Sequence, residues 1–569
     1  MKKQPIKFSE YPLVVPTAKK LSKKFDKLVS DLKACTNAQE AFKVIKKINS
    51  AFEDIETEGS VIYVLYSCNT ENEEYKKAQE AIDELSPLFG KYSSDIEKIL
   101  VSASYRPELE KKFGSYLFKK YDASLKTFDE KIMPDLIKEN KLVSEYDMIM
   151  GGAQIVFRGE TLNLSQLGKY MQDKDRETRR EAAKAMDNWL KENEEKIAKI
   201  YDDLVHVRVE IAKKLGFESF TDLAYLRLGR VDYNADMVKV YRKQIADDVV
   251  PVCQKLYKQQ MKNLGIKNPQ YFDYNLMFAS GNPMPAGNAK YLVEQAHKMY
   301  ADLGEESKEF FDFMVKYELM DLEARKGKAP GGYQTTFPAY QSPFIFSNFN
   351  GTQGDVNVLC HEGGHAFQAY LSRNIKVPEY RQPTLESCEI HSMSMEFFSW
   401  PYMEGFFGKD AEKYKYAHLA DSIEFLPSGA TIDEFQHWVY ANPDATHEQR
   451  CAAFREIEKK YTPHKKYDDC PTLAKGTYWM RQGHVFATPF YYIDYTLAQV
   501  VAFQFAIENM KNHEKAWKKY IKLCKCGGKY PFQELLAKNH LRCPFQDGNI
   551  KKVIKPLERV LKQFDTSKM

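Results

Sequence analysis

The chain has 569 residues, 43% hydrophobic and 28% charged, ordinary for a soluble globular protein with material for more than one lobe. Its formal net charge of +4, from 83 basic and 79 acidic residues, gives no basis for a nucleic-acid partner or a membrane surface. No stretch approaches the ~18 apolar residues of a membrane-spanning helix.

At the N-terminus, MKKQPIKFSEYPLVVPTAKK has an apolar run of only residues 11–15, too short for an export signal. The ten cysteines form no framework, and Cys524 and Cys526 make a lone C-x-C. Free thiols in a reducing cytoplasm are the expectation. Most of the chain is helix-like. Residues 109–132 and 175–216 are rich in Glu, Lys, Leu and Ala, with apolar residues at three- and four-residue spacing, and their charge runs read as solvated faces. No repeat or low-complexity linker marks a domain boundary. We divide the chain into an N-terminal helical region, 1–195, and a helical region carrying the chemistry, 196–569.

Residues 326–350, KGKAPGGYQTTFPAYQSPFIFSNFN, break the pattern. Glycine and proline punctuate two β-prone runs, Tyr333–Phe337 and 344–349, which predicts a small ribbon. Thr352 with Asp355 three residues on is a candidate N-cap pair for the next helix. That helix carries His361-Glu362-Gly363-Gly364-His365. Histidines four apart share a helix face and can share a metal, and neutral imidazoles suit Zn²⁺. Glu362 can take the proton of an attacking water. Two glycines inside a helix cost about 1 kcal/mol each relative to alanine, so another backbone, of the neighbouring helix or of the substrate, is expected to pass close to this turn, the alternative being tight helix packing alone.

A catalytic zinc needs a third protein ligand and one open position. LESCEIHSMSMEFF, at 385–398, places Glu386, Glu389, Met393 and Glu396 on one helix face, with Glu389 the natural ligand. Glu386 and Glu396 either buttress the ligands or form ion pairs. His391 points elsewhere and reads as a surface or core histidine. Further on, RQGHVFATPFYYIDYTLAQVVAFQF reads as a helix from near Pro489. Its core stripe is Phe490, Ile493, Leu497, Val500 and Val501, with Tyr491, Tyr492, Tyr495 and Gln499 opposite. The tyrosines are either half-exposed surface or hydroxyl donors to a tetrahedral oxyanion, with His484 a second candidate donor.

HEGGHAF, ESCEIHSMSMEFF and HVFATPFYYIDY, in this order, resemble the thimet oligopeptidase family of zinc metallopeptidases, most closely its oligoendopeptidase F branch. The similarity runs from about Leu162 to Leu557 and takes in GRVDYNADMV and CGGKYPFQELLAKNHL. The first hundred or so residues fit only in being helical. The resemblance implies a mostly α, two-lobed structure around a deep substrate channel, with the small β-ribbon beside the HExxH helix. It implies cleavage of short peptides, one Zn²⁺ per chain on His361, His365 and Glu389, and Glu362 as base. The transition-state tyrosine falls on Tyr495 and the histidine on His484, with Tyr491 or Tyr492 assisting. Gly363 stands where the family often has a bulkier residue. The strand at 344–349 is expected to pair with an extended peptide. The rival readings are a carboxypeptidase or dipeptidyl carboxypeptidase on the same scaffold, and an inactive helical peptide-binding protein.

Overall fold

The computed structural model describes residues 3–569. The chain is mostly helical, as expected, and it forms two compact units. The first gathers the chain up to Leu125, Met284–Gly408 and Glu508–His540; the second gathers Lys126–Pro283, Lys409–Ile507 and Leu541–Met569. The division expected after residue 195 falls inside the unbroken helix Arg176–Lys214. That helix opens on Asp175, whose carboxylate accepts the Thr178 N–H, and buries Ala182, Met186, Leu190, Ile197, Leu204 and Ile211 along one side. Its charge run is solvated except at three places. Arg179 is buried against Asp273, Arg208 against Glu139 and Tyr440, and Asp187 accepts the N–H groups of Thr472 and Leu473.

Five short strands are all the β structure among the described residues. β1 (Ile155–Phe157) and β2 (Glu160–Leu162) make a hairpin in the second unit. β3 (Met320–Glu323), β4 (Tyr333–Phe337) and β5 (Ser342–Phe349) make a sheet in the first, ordered β3-β5-β4. The expected two-stranded ribbon therefore has a third strand. β5 runs parallel to β3 and antiparallel to β4, with Tyr333 opposite Phe346 and Phe337 opposite Ser342. Because β5 is central it is buried on both faces, which its near-continuous apolar sequence suits. Strands β3 and β4 are the two edges. The expected peptide pairing at 344–349 is thus ruled out, since both sides of β5 already have partners. The outer side of β4 has no strand partner among the described residues.

The HEGGH helix, Gln353–Ser372, follows the sheet. The expected cap pair does not form. The Thr352 hydroxyl donates to Asn350 Oδ1 at 2.7 Å, while the Asp355 carboxylate reaches back to accept the Asn350 and Gly351 N–H groups at 2.9 and 2.7 Å. A helix at Leu385–Phe398 packs closely on this one. A Cβ at Gly364 would fall 2.7 Å from both His391 O and Ser392 Cα of that helix, so the expected passing backbone exists there. At Gly363 the neighbour is instead the hydroxyl of the buried Tyr300.

In the second unit the tyrosine helix is Tyr492–Lys511 and does not start near Pro489. Phe490 has φ +68°, a left-handed conformation rare for a bulky residue, and this stops the helix from extending backward. Both sides of that residue's backbone are held: its N–H donates to Gln436 Oε1 at 2.8 Å, and Arg230 Nη2 donates to its carbonyl at 2.7 Å. Ile493, Leu497, Val500 and Val501 are buried as expected, and Gln499, expected opposite them, is buried too.

Gly364→Ala is expected to destabilise the protein by about 1–3 kcal/mol, because the new methyl meets backbone that cannot move aside. Gly363→Ala meets a phenol, so adding Tyr300→Phe should recover part of its loss and none of the loss at Gly364. Urea denaturation of the four variants checks this, and equal rescue of both would refute the assignment of neighbours.

Candidate metal centre

Two helices position the first group of expected residues. His361 and His365 stand one turn apart on the HEGGH helix with ring centroids 5.0 Å apart. Glu389 comes from the helix packed against them. Its Oε2 lies 3.2 Å from His361 Nε2 and 3.4 Å from His365 Nε2, and ligand atoms of the three residues all lie within 4.8 Å of one another. The histidine side chains are 24% and 17% exposed and the glutamate 7%, so the cluster sits at the edge of the core with its imidazoles reachable.

The electrostatics follow from this contact. Burial alone would raise the Glu389 pKa, yet the charge of His365 and hydrogen bonds from both histidines hold it well below the usual carboxylate range. Burial would likewise lower His361, but hydrogen bonds to Glu389 and Glu396 raise it well above the usual imidazole range. His361 Nδ1 lies 2.7 Å from Glu396 Oε1. Its N–H donates there, which turns Nε2 toward Glu389. Glu396 thus pairs directly with the expected ligand His361. Glu362 lies in the same turn and is 9% exposed. His391 is a core histidine, fully buried, and burial pushes its pKa down to about 3. Two nitrogens and one carboxylate oxygen are a donor set that suits Zn²⁺, and three protein ligands leave a position for water. The residues fit the ion.

The remaining expected residues gather in the second unit. His484 Nε2 is 3.4 Å from the Tyr495 hydroxyl, and the His484 ring lies 5.8, 5.1 and 5.6 Å from those of Tyr491, Tyr492 and Tyr495. All three tyrosines are half-buried. Tyr492 also meets Phe425 edge-on at 5.6 Å, and burial raises its pKa. Sequence reasoning missed two supports of this group. Gln482 Nε2 is 2.8 Å from His484 Nδ1, so an amide donor faces Nδ1 and the ring proton sits on Nε2. Arg230, in the GRVDYN stretch, forms a fully buried ion pair with Asp494 at the start of the tyrosine helix. Only the polarity of Asp494 within an apolar helix could have signalled it.

Comparison with known proteins agrees with the fold. The profile of the peptidase M3 N-terminal domain matches residues 8–128, and that of peptidase family M3 matches residues 169–553. The likeness therefore reaches into the N-terminal region, where sequence reasoning found only helical character. No curated protein sequence matches at a significant level. Among solved structures, one assigned as an oligoendopeptidase F is 45% identical with a TM-score of 0.95, covering 99% of this chain and 100% of its own. PZ peptidase A in complex with an inhibitor is 46% identical with a TM-score of 0.94 and the same coverage. A protein of Bacillus anthracis str. Ames, also assigned as an oligoendopeptidase F, is 43% identical with a TM-score of 0.90 over the whole of both chains. With a family profile over more than half its length and full-length relatives above 40% identity, the chain belongs to peptidase family M3 and is a metalloendopeptidase.

Proposed function

We propose that the protein hydrolyses internal bonds of short peptides, with one Zn²⁺ per chain held by His361, His365 and Glu389. The observation that carries this is the buried Glu389 carboxylate set against two imidazole Nε2 atoms one helical turn apart. When bound, Zn²⁺ would supply Lewis acidity, polarising the scissile carbonyl and acidifying water. Glu362 accepts the proton of the attacking water and passes it to the leaving amine. Tyr495 and His484, already paired and with the imidazole proton on Nε2, donate to the oxyanion. Tyr491 and Tyr492 pack on the same imidazole and hold its plane. Glu396 fixes the tautomer and direction of His361. An extended peptide adds as a strand along β4, whose backbone has an open side.

All ten cysteines are free thiols, and no helix among the described residues is long and apolar enough to cross a membrane. The free thiols suit a reducing cytoplasm, where we place the enzyme.

Four outcomes test the reading. Mass-spectrometric mapping of a peptide pool should show internal cuts with wild type, while stepwise trimming from the C-terminus would favour the carboxypeptidase alternative. Glu362→Gln should lower kcat by on the order of 10²–10⁴ with zinc still bound, and Tyr495→Phe by about 10²–10³ with KM little changed. Unaltered turnover in either would remove that residue from the mechanism. Glu396→Gln should weaken metal binding about 10–100-fold in a chelator competition; unchanged affinity would make the His361 contact incidental.

A further inference from the structure

A cavity of about 870 Å³ lies within the first unit. Its wall includes the proposed ligand His365 and residues 334–336 of β4, and on another side Glu56. The other charged groups of this wall are engaged. Arg381 Nη1 pairs with Glu53 at 2.6 Å. Glu379 Oε1 accepts the Tyr121 hydroxyl at 2.7 Å, and its backbone carbonyl accepts Lys120 Nζ at 3.1 Å. Glu97 accepts the Ser93 hydroxyl at 3.2 Å. Arg373 donates to the Tyr370 carbonyl and lies over the Tyr370 ring. Glu56 differs: its side chain is open to the cavity and has no hydrogen-bond or ion-pair partner.

We propose that this cavity is a substrate subsite for a cationic peptide group, an ammonium or a guanidinium, and that Glu56 selects it. The inference rests on the peptidase function proposed for this chain and adds the chemistry of the substrate. A peptide laid along β4 beside His365 would reach this cavity with its side chains or its end. A carboxylate that faces the cavity with no partner, beside the like charges of Glu53 and Glu379, gains from an incoming cation that offsets their repulsion. Burial, with Glu379 and Glu53 nearby, pushes the Glu56 pKa up to about 7, and Arg381 offsets only part of this. Of the wall's cations only Arg381 pairs with a carboxylate, so a peptide carboxylate is the competing occupant that the glutamate scan tests.

The test measures binding to zinc-loaded Glu362→Gln protein, with and without Glu56→Gln or Glu56→Asp, by competition anisotropy. The probes are octapeptides acetylated and amidated at their ends, with lysine, norleucine or glutamate scanned through each position, and the same norleucine parent with a free α-amino group. Expected is one position, or the free amine, where the cation binds about tenfold tighter than norleucine. Glu56→Gln should bring that ratio to about one and Glu56→Asp should keep part of it. A gain from the lysine scan assigns the pocket to a side chain; a gain from the free amine alone assigns it to the peptide N-terminus. Absence of any cation preference, or one that survives Glu56→Gln, overturns the proposal. Wild-type digests of the same peptides report separately on the peptidase function. Internal cleavage without a Glu56-dependent preference sinks only the subsite, and Glu56-dependent binding without cleavage sinks only the activity.

Discussion

The close approach of two helix backbones at Gly364 is the constraint on which the metal centre depends. Any side chain there would push against His391 O and Ser392 Cα and move the helix that carries Glu389 away from the two histidines. Oxygen-to-nitrogen distances of 3.2 and 3.4 Å leave no room for such a shift. The helix-propensity cost of the glycine, about 1 kcal/mol, is small beside what the contact brings: a carboxylate taken from water and kept charged by two imidazoles. Gly363 solves a different problem. It clears space for the hydroxyl of Tyr300, whose ring stacks on Phe311 at 4.7 Å and meets Phe310 edge-on at 5.4 Å. One glycine sets the distance between helices, and the other admits an aromatic layer behind the turn.

This explains why so much of the first unit was legible in the sequence. Ligand spacing on a helix is a local property, and so is the shared face of Glu389 and Glu396 one element later. The β-prone runs on either side of Gly and Pro are local too, and β4 matches its expected span residue for residue. What escaped was non-local. β3 is four residues long and becomes a strand only because β5 lies beside it, and that same pairing removes β5 as a docking edge. The cap at Thr352 failed because Asn350 Oδ1 accepts both the Thr352 N–H and its hydroxyl, while Asp355 reached further back than a capping box does. The boundary after residue 195 failed because the units are assembled from separated segments, which no composition shift along the chain records.

The second unit shows the limit from the other side. Its apolar stripe was readable, but the point where the tyrosine helix begins is set by a conformation that sequence disfavours. A left-handed Phe490 costs on the order of 1–3 kcal/mol and persists only where the surroundings over-determine it. Here Gln436 and Arg230 hold its two backbone polar groups, and Arg230 itself lies over the rings of Tyr225 and Tyr233. The same guanidinium neutralises Asp494, so one buried ion pair fixes both the preceding turn and the first turn of the helix. Such a pair adds little net stability compared with an apolar replacement, but losing one partner strands the other charge at a cost of about 3–5 kcal/mol. Its value lies in geometry: the angle at which Tyr491, Tyr492 and Tyr495 leave the helix start around His484.

The carboxylates of the first unit then sort by what surrounds them. Glu389 is buried while Glu56 faces the open cavity, and desolvation acts to raise the pKa of each. In Glu389 two imidazoles reverse that effect, giving an oxygen ready to meet a cation with its charge already in place. In Glu56 two further carboxylates add to it, giving a group that becomes fully charged only when a cation arrives. A permanently charged oxygen suits a resident ion, which must not leave between turnovers. A conditionally charged one suits a substrate group that must bind and then go. The difference is written in neighbours contributed by distant parts of the chain, with Glu379 more than three hundred residues beyond Glu56, and is therefore visible only once the chain has folded.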